Sequence, residues 1–409
     1  MDLDFFNRIL SVDSTSGKEG GLADMLSAEF VAPGRDVELF EVGDGTKNLL
    51  VSWGIPRLVF CTHLDTVPPY ISPSYRNPLA NPELPCHPDH PCHPDLPCHP
   101  ERSEGSHSDT PPIYGRGTCD AKGQIFAMWE ACKELEAKGC TDFGLLLLAG
   151  EETGSFGAKA FHRLVSENPS VILKGAKNLS VKDLWVVVGE PTDNCMASAA
   201  KGTKAFEVEF EGKAFHSGYP EHGVSAVMLF NDFINALRSI RFPKDELLGD
   251  TTFNVGKLIS DNPQNILSEK LTCRVYFRTT FESDEMVCNV MKNMAGPDAK
   301  LRFGRPRVQD GSDIVAKDVA QWQKQMKVRA LGGDTPTRFE TLPGFETKPV
   351  SFGSDAPQLQ CFEHKVLCGP GSILVAHRPE EHILLSDLEQ ATANYVRIYK
   401  KINKFNKNG

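Results

Sequence analysis

Residues 58–65 read LVFCTHLD, an apolar run that leads directly into His63 and Asp65. A short apolar run without polar alternation predicts a strand that is buried on both faces. Such strands are typical of a parallel sheet covered by helices. Open parallel sheets place their ligand crevice at the carboxyl ends of the strands, so His63 and Asp65 are expected to lie in that crevice.

Two later segments repeat this arrangement. The run LLLLA at 145–149 leads to Glu151 and Glu152, and the run WVVV at 185–188 leads to Glu190. If the three runs form parallel strands of one sheet, these acids meet the histidine of the first strand at one edge. The predicted fold class is therefore α/β, with a catalytic domain built on a mainly parallel central sheet flanked by helices.

Two further candidate ligands come from outside these strands. Asp120 ends the Gly-rich turn YGRGTCD, just ahead of a segment with apolar residues at helical spacing and a stop at Gly139. His377 follows the apolar run at 373–376. Histidine and carboxylate are zinc ligands, and carboxylates that lie close together need cations nearby. Their joint placement favours a two-metal site, although a histidine satisfied at a strand end or an exposed acidic turn would explain single elements.

Glu151 and Glu152 are expected to have different roles. Adjacent residues of an extended segment point to opposite sides, so the two side chains cannot easily ligate one metal in the same way. One of them is then free to act as a base. A water between two metals about 3.5–4 Å apart loses its proton readily, and a neighbouring carboxylate can pass that proton to a leaving amine.

The middle of the chain predicts a smaller α+β domain. Residues 206–210 alternate apolar residues with glutamate, which indicates a strand with one wet face. A helix at 225–240, strands at 252–258 and 270–277, and a helix at 284–294 complete a small ferredoxin-like α+β domain that is inserted into the catalytic domain. The predicted boundaries are 1–199 for the first part of the catalytic domain, 200–307 for the inserted domain, and 308–409 for the second part of the catalytic domain.

A segment of about 71–112 interrupts the catalytic domain. Its sequence LPCHPDHPCHPDLPCHPERSEGSHSDTPP is rich in Pro, His and Ser and nearly lacks residues that could form a core, which predicts a disordered surface insertion. The unit PCHP occurs three times at a period of six, so metal binding is an alternative. Proline on both sides of each Cys-His pair disfavours the turn that would bring ligands together.

Composition excludes several classes of function. With 44 Lys and Arg against 54 Asp and Glu, the chain carries a formal charge of −10, which argues against a nucleic-acid partner. The acidic start MDLDFFNRIL and the short apolar runs predict neither a signal peptide nor a membrane anchor. The 12 cysteines lack the spacing of a disulfide framework, so a cytoplasmic location is expected. The expected partner is a small molecule.

Six motifs occur in order along the chain: THLDTVPP (62–69), YGRGTCDAKG (114–123), AGEETGS (149–155), VGEPTD (188–193), GKAFHSGYPEHG (212–223) and GPGSILVAHRPEEH (369–382). They resemble the zinc metallopeptidase family that contains acetylornithine deacetylase, succinyl-diaminopimelate desuccinylase, aminoacylase and glutamate carboxypeptidase. The resemblance covers nearly the whole chain apart from the Pro-Cys-His insertion. The Gly-Pro-Gly start of the last motif is most similar to acetylornithine deacetylase-like members.

The resemblance implies two Zn²⁺ ions, for which Co²⁺ can substitute. The implied ligands are His63 and Glu190 for one ion, Glu152 and His377 for the other, and Asp120 for both. Glu151 is implied as the general base, and Asp65 as the acceptor of a hydrogen bond from the His63 ring. In this family Glu rather than Asp at position 190 is typical of deacylases and carboxypeptidases rather than aminopeptidases.

The resemblance also implies that the inserted domain is a lid or dimerisation domain, and it assigns roles to residues there. His216 is implied to enter the site of a neighbouring subunit and stabilise the oxyanion, so a homodimer is expected. Arg278 and Asn265 match positions near the substrate carboxylate and the oxyanion, and the planar fork of Arg278 suits a carboxylate. The alternatives are a histidine satisfied at a strand end and an arginine that is only a surface charge.

The predicted function is that of a di-zinc amidohydrolase that removes an acyl group, acetyl first among the candidates, from an N-acyl amino acid such as N-acetylornithine. The alternative within the family is a succinyl-diaminopimelate desuccinylase or a metallo-dipeptidase or carboxypeptidase. A more distant alternative is a non-catalytic metal-binding protein.

Overall fold

The computed structural model describes residues 1–78, 111–176, 178–303 and 319–408, so most of the predicted 71–112 insertion, with its Cys-His repeat, lies outside the described residues. Its strands are β1 (Asp36–Gly43), β2 (Thr46–Gly54), β3 (Leu58–His63), β4 (Ile113–Tyr114), β5 (Asp142–Leu148), β6 (Trp185–Val188), β7 (Met196–Ala200), β8 (Gly202–Glu211), β9 (Thr252–Ile259), β10 (Lys270–Thr279), β11 (Met326–Gly332), β12 (Thr337–Arg338), β13 (Thr347–Val350), β14 (His364–Leu367) and β15 (His382–Ile383). Its helices are α1 (Leu3–Leu10), α2 (Gly20–Phe30), α3 (Lys122–Ala137), α4 (Phe156–Glu167), α5 (Ser170–Leu173), α6 (Ala226–Ser239), α7 (Asp284–Asn293), α8 (Gln321–Lys324) and α9 (Leu385–Asn408). Among these, no helix is both long enough and apolar enough to span a membrane.

The chain divides into two compact units. The first unit comprises Met1–Ala197, Phe339–Lys348 and Ser354–Gly409, and the second comprises Ser198–Arg338 and Pro349–Gly353. The second unit therefore ends later than the predicted boundary at 307. The reason is β11, which hydrogen-bonds along β8 and so belongs to the sheet of the second unit.

The first unit is built on a six-stranded sheet. The strand order is β1-β2-β5-β3-β6-β14, in which β5, β3, β6 and β14 are mutually parallel and the hairpin β1-β2 is antiparallel. All six residues of β3 and all four of β6 are buried, as the unbroken apolar runs predicted. The mainly parallel α/β sheet expected from the sequence is confirmed.

Helix α3 connects this sheet to the segment that carries Asp120. The helix begins at Lys122 and ends at Ala137, and Gly139 follows with a φ of +74°, which confirms the predicted helix and its stop. Its buried face joins an aromatic core: Phe126 stacks on Phe6 with ring centroids 4.7 Å apart. Packing therefore fixes the start of α3, immediately after Asp120.

The second unit is an antiparallel sheet covered by helices. The order is β11-β8-β10-β9, and α6 and α7 pack against β8 and β10. Phe206, Val208 and Phe210 of β8 are buried, while the alternating glutamates between them are more exposed, as predicted from the alternation at 206–210. The separate small α+β domain expected from the sequence is confirmed.

One ion pair of the first unit ties α3 to the loop before β1. Glu136 accepts hydrogen bonds from Arg35 at 2.5 and 2.8 Å and from the Trp53 indole at 2.8 Å. These bonds, the one from Arg35 first, hold the pKa of Glu136 below its ordinary value. The ionised carboxylate is therefore expected to stabilise the fold.

Replacing Glu136 with Gln is expected to lower the free energy of unfolding by about 1–3 kcal/mol near neutral pH. Because the pKa of Glu136 is depressed in the folded state, its contribution is present above the unfolded pKa and is lost as the pH falls through the folded pKa. The difference between wild type and Glu136→Gln should therefore shrink below about pH 4. Urea unfolding near pH 7 and near pH 3 measures this, and an equal difference at both would contradict the assignment.

Candidate active site

Candidate ligands lie at the carboxyl ends of three neighbouring strands. β3 ends at His63, β5 ends shortly before Glu151 and Glu152, and β6 ends two residues before Glu190. The strands are parallel and in register, with His63 opposite Leu148 of β5. Their carboxyl ends therefore share one edge of the sheet, and the predicted convergence of these side chains is observed.

Six of the predicted residues form three overlapping groups of potential metal ligands. Within each group the potential ligand atoms lie no more than 4.8 Å apart. The groups are His63, Asp120 and Glu190; Asp120, Glu152 and His377; and His63, Glu151 and Glu152. The first two groups correspond to the two ligand sets that the family resemblance implies.

Asp120 belongs to both ligand groups because its two carboxylate oxygens face different histidines. Oδ1 lies 2.9 Å from Nε2 of His63, and Oδ2 lies 3.2 Å from Nε2 of His377. The same nitrogen of His377 is 2.8 Å from Oε1 of Glu152. An arrangement of this kind suits a carboxylate that is shared between two cations.

Burial and the two imidazole rings govern ionisation in this cluster. Burial raises the pKa of Glu151 and Glu190, and neighbouring carboxylates raise it further. At Asp120 burial also opposes ionisation, but hydrogen bonds with the two histidines hold the pKa of its carboxyl below the ordinary value. Bonds with Asp120 and Glu152 raise the pKa of His377 to about 10. The carboxylates therefore require positive charge, which imidazolium groups or divalent cations can supply.

Asp65 supports both the first histidine and the two glutamates. Nδ1 of His63 lies 2.8 Å from the backbone carbonyl of Asp65 and 3.4 Å from its carboxylate, so the ring donates chiefly to the carbonyl. The carboxylate accepts the backbone N–H groups of Glu151 at 2.9 Å and Glu152 at 3.2 Å, and the hydroxyl of Ser16 at 2.8 Å. Since Nδ1 is occupied as a donor, Nε2 is the nitrogen of His63 that is oriented towards a metal.

The remaining predicted residues lie in the second unit. Nδ1 of His216 accepts the backbone N–H of Gly218 at 3.1 Å, and the residue after His216 donates to the carbonyl of Asn265 at 2.8 Å. Arg278 is half-buried near the end of β10, with its guanidinium 5.1 Å from the ring centre of Tyr276. Their roles in binding and catalysis, and the homodimer, stay predictions.

Sequence reasoning assigned no role to three buried charged residues of the first unit. Asp355 is 1% exposed, and its charge adds to burial in raising the pKa of Glu151 and Glu190. Arg116 and Glu381 form a buried ion pair beside Asp120 and His377. Arg116 and Glu381 lie inside motifs already recognised, where a charge between glycines and a second acid after His377 were the available signals.

Comparison with known proteins relates this chain to peptidases. The profile of Peptidase family M20/M25/M40 matches residues 92–401. A protein of Aspergillus fumigatus named "probable carboxypeptidase" is 29% identical over 438 residues, covering 98% of this chain and 85% of that protein.

Solved structures share the fold. A tripeptidase from Staphylococcus aureus superposes with a TM-score of 0.69 at 18% identity, with 98% of each chain covered. An M20 family metallo-carboxypeptidase from Sulfolobus solfataricus superposes with a TM-score of 0.63 at 16% identity, covering 98% of this chain and 99% of that one. At these identities the likeness shows the fold alone.

The chain is expected to bind two divalent metal ions, with Asp120 contributing to both. Asp120→Asn removes the negative charge that faces both ligand groups and should lower the affinity for each ion by at least about 10-fold. His377→Ala should weaken only one ion, because His377 belongs to one group. Equilibrium dialysis against Co²⁺ followed by elemental analysis measures the number bound.

His364→Ala provides a matched control in the same unit. The His364 ring stacks on Trp185 at 4.7 Å and pairs with Glu340 at 2.6 Å, outside the ligand groups. This variant should bind both ions like wild type. Two tightly bound ions in His377→Ala, or a lost ion in His364→Ala, would contradict the assignment of the cluster.

Proposed function

The chain belongs to peptidase family M20/M25/M40 and is a hydrolase of amide bonds, and from this premise we propose that it is a two-metal carboxypeptidase or dipeptidase. The observation that carries the proposal is the joint position of Asp120 between two histidines and of Glu151 beside them. Such a cluster suits hydrolysis, in which water must be activated next to a polarised carbonyl.

The residues at the cluster fit two divalent ions. His63 and Glu190 would hold one, Glu152 and His377 the other, and Asp120 would contribute to both. Carboxylate and imidazole donors suit zinc, and three donor residues around each position leave room for a substrate or water. Two ions bound there would polarise the scissile carbonyl and lower the pKa of a water molecule.

Glu151 is proposed as the general base. Its carboxylate is half-buried and grouped with those of His63 and Glu152, and the Asp65 carboxylate fixes its backbone N–H. Burial and neighbouring carboxylates raise its pKa, which makes the carboxylate a stronger proton acceptor. Glu151 would accept a proton from the attacking water and return it to the departing amine.

The proposed substrate class differs from the first expectation of an N-acetyl amino acid such as N-acetylornithine. Relatives that match this chain over almost its whole length are named carboxypeptidases, and this favours the alternative expectation of a dipeptidase or carboxypeptidase. Both reactions cleave an amide bond beside an amino acid. They differ in the group on the acyl side of that bond, which is an amino-acid residue in a peptidase substrate and an acetyl group in an N-acetyl amino acid.

Arg278 supports a substrate with a free α-carboxylate. Its guanidinium nitrogen Nη1 lies beside Gly353, 3.7 Å from the place where a Cβ of residue 353 would stand. Burial lowers the pKa of the Lys201 amine; the charge of Asp250 opposes this shift, and the charge of Arg278 adds to it. Two neighbouring cations attract a carboxylate, and the fork of Arg278 can bind it bidentately.

His216 is proposed to stabilise the developing oxyanion. Because its Nδ1 accepts a hydrogen bond from Gly218, the proton of the neutral ring resides on Nε2. The Nε2–H group is exposed with the rest of the side chain and can donate to an oxygen that gains negative charge. We further propose that this site is completed by a second subunit in a homodimer.

The proposed reaction is tested by amine release from free dipeptides, N-blocked dipeptides and N-acetyl amino acids with the Zn²⁺- or Co²⁺-loaded enzyme. Peptides with a free carboxylate should be hydrolysed faster than any N-acetyl amino acid. Faster release from N-acetylornithine would instead assign a deacylase.

Glu151→Gln should retain both metal ions and lose at least about 100-fold in kcat, because the amide cannot accept the proton of the attacking water. Metal content and steady-state rates are measured on the same preparation. Wild-type kcat in this variant would remove Glu151 from the mechanism.

Arg278→Met should lower kcat/KM for a free-carboxylate peptide by about 10- to 100-fold, the loss expected for a hydrogen-bonded charge pair. The corresponding C-terminal amide should be affected much less. Arg274→Met is the matched control, because Arg274 lies on the same face of β10, opposite Glu207 of β8. If both variants lost activity equally on peptide and amide, Arg278 would not bind the carboxylate.

A further inference from the structure

Arg116 and Glu381 form a buried ion pair that the proposed reaction does not use. Arg116 is 2% exposed and Glu381 is fully buried, and Nη1 of the guanidinium lies 2.5 Å from Oε2 of the carboxylate. Removing two charges from water costs several kcal/mol per ion, so a pair of this kind is weak evidence for a purely stabilising role. The other hydrogen bonds of the pair are made with the backbone around Asp120 and His377, which indicates a role in positioning these two residues.

The second oxygen of Glu381 holds the backbone that carries Asp120. Oε1 accepts the N–H groups of Gly117 at 2.9 Å, Cys119 at 3.2 Å and Asp120 at 3.1 Å. Successive backbone N–H groups that converge on one anion form a nest. The carboxylate therefore fixes the shape of the loop immediately before α3, and with it the direction of the Asp120 side chain.

The guanidinium of Arg116 holds the backbone that carries His377. It donates to the carbonyl of Arg378 at 3.3 Å and approaches that of His377 at 3.5 Å, and it also donates to the carbonyl of Pro69 at 3.3 Å. His377 itself has a φ of +65°, a left-handed conformation that needs support from its surroundings. Arg116, which lies in the same loop as Asp120, provides such support.

A short strand pair sets the register of this arrangement. β4 pairs with β15, with Tyr114 opposite His382, and the backbone N–H of Gly115 donates to the carbonyl of Glu381 at 3.0 Å. This ladder places Glu381 directly beside the turn that starts at Gly115. Main-chain hydrogen bonds therefore join two segments that are distant in sequence.

We propose that Arg116 and Glu381 are positioning residues that fix the separation of Asp120 and His377, and thereby the affinity for the metal ion that these two residues would share. The inference rests on the proposed function, in which Asp120 and His377 are metal ligands. The hydrogen bonds of the pair reach the main chain of the two ligand segments.

Glu381→Gln is the first test, with Co²⁺ as the probe. The uncharged amide leaves Arg116 unpaired and directs an NH₂ group or a weaker acceptor at the nest. Affinity for one of two Co²⁺ ions should fall by about 10- to 100-fold, as for other groups that orient metal ligands. The visible absorption of bound Co²⁺ should change, because it reports the ligand geometry, whereas circular dichroism of the metal-free protein should not.

The double variant Arg116→Met/Glu381→Leu tests the pair without leaving a single charge buried. It should fold and still show the weakened Co²⁺ site, because the three N–H groups of the nest lack their acceptor. If neither this variant nor Glu381→Gln folds, the pair is structural and the positioning role is overturned.

Glu136→Gln is the matched control, since it breaks another Arg–Glu pair of the first unit, between α3 and Arg35. It should reduce resistance to urea and leave the affinity for both Co²⁺ ions unchanged. Equal Co²⁺ affinity in Glu381→Gln and wild type, or an equal loss in Glu136→Gln, would overturn the positioning role. A wild-type protein that binds fewer than two Co²⁺ ions would instead contradict the proposed function itself.

Discussion

The carboxylate of Asp120 is buried between two imidazole rings, and much of the first unit is arranged around this group. A carboxylate that is only 5% exposed would be protonated unless positive charge or hydrogen bonds replaced its lost hydration. Both oxygens of Asp120 face histidine nitrogens, and helix α3 begins two residues later with its positive dipole end towards this turn. Parallel strands position three of the other ligands, His63, Glu152 and Glu190, because their carboxyl ends share one edge.

Groups around the cluster act mainly on the backbone of the ligand segments. Asp65 holds the two consecutive glutamates through their N–H groups, and Glu381 holds Asp120 in the same way. Asp65 also accepts the hydroxyl of Ser16, and Glu381 also pairs with Arg116, so the oxygens of both acids already have hydrogen-bond donors. Some buried carboxylates therefore belong to the ligand cluster, and others position the backbone of the ligand residues.

The central strands, the helix after Asp120 and the alternation of β8 could be predicted because burial leaves a local pattern at each of them. The late end of the second unit could not, because β11 is a largely exposed strand whose membership depends on its pairing with β8. The burial of Asp355, Arg116 and Glu381 within the site could not be predicted either, because it also depends on contacts with residues distant in sequence. A charged residue that is buried against distant partners leaves no periodic signal, and only the fold shows what compensates its charge.

Substrate choice depends on parts of the molecule other than the metal ligands. The proposed ligands and base act on the amide bond, which a deacylase and a carboxypeptidase cleave alike, so the motif around His377 does not distinguish the two. Arg278 does not separate them either, because an N-acyl amino acid and a peptide both present a free α-carboxylate. The two classes differ on the acyl side, where a free dipeptide carries a charged amino group and an N-acetyl amino acid carries a methyl group. Selectivity must therefore come from the residues that meet that end of the substrate, where a buried acidic group would favour the dipeptide and an apolar wall the acetyl group.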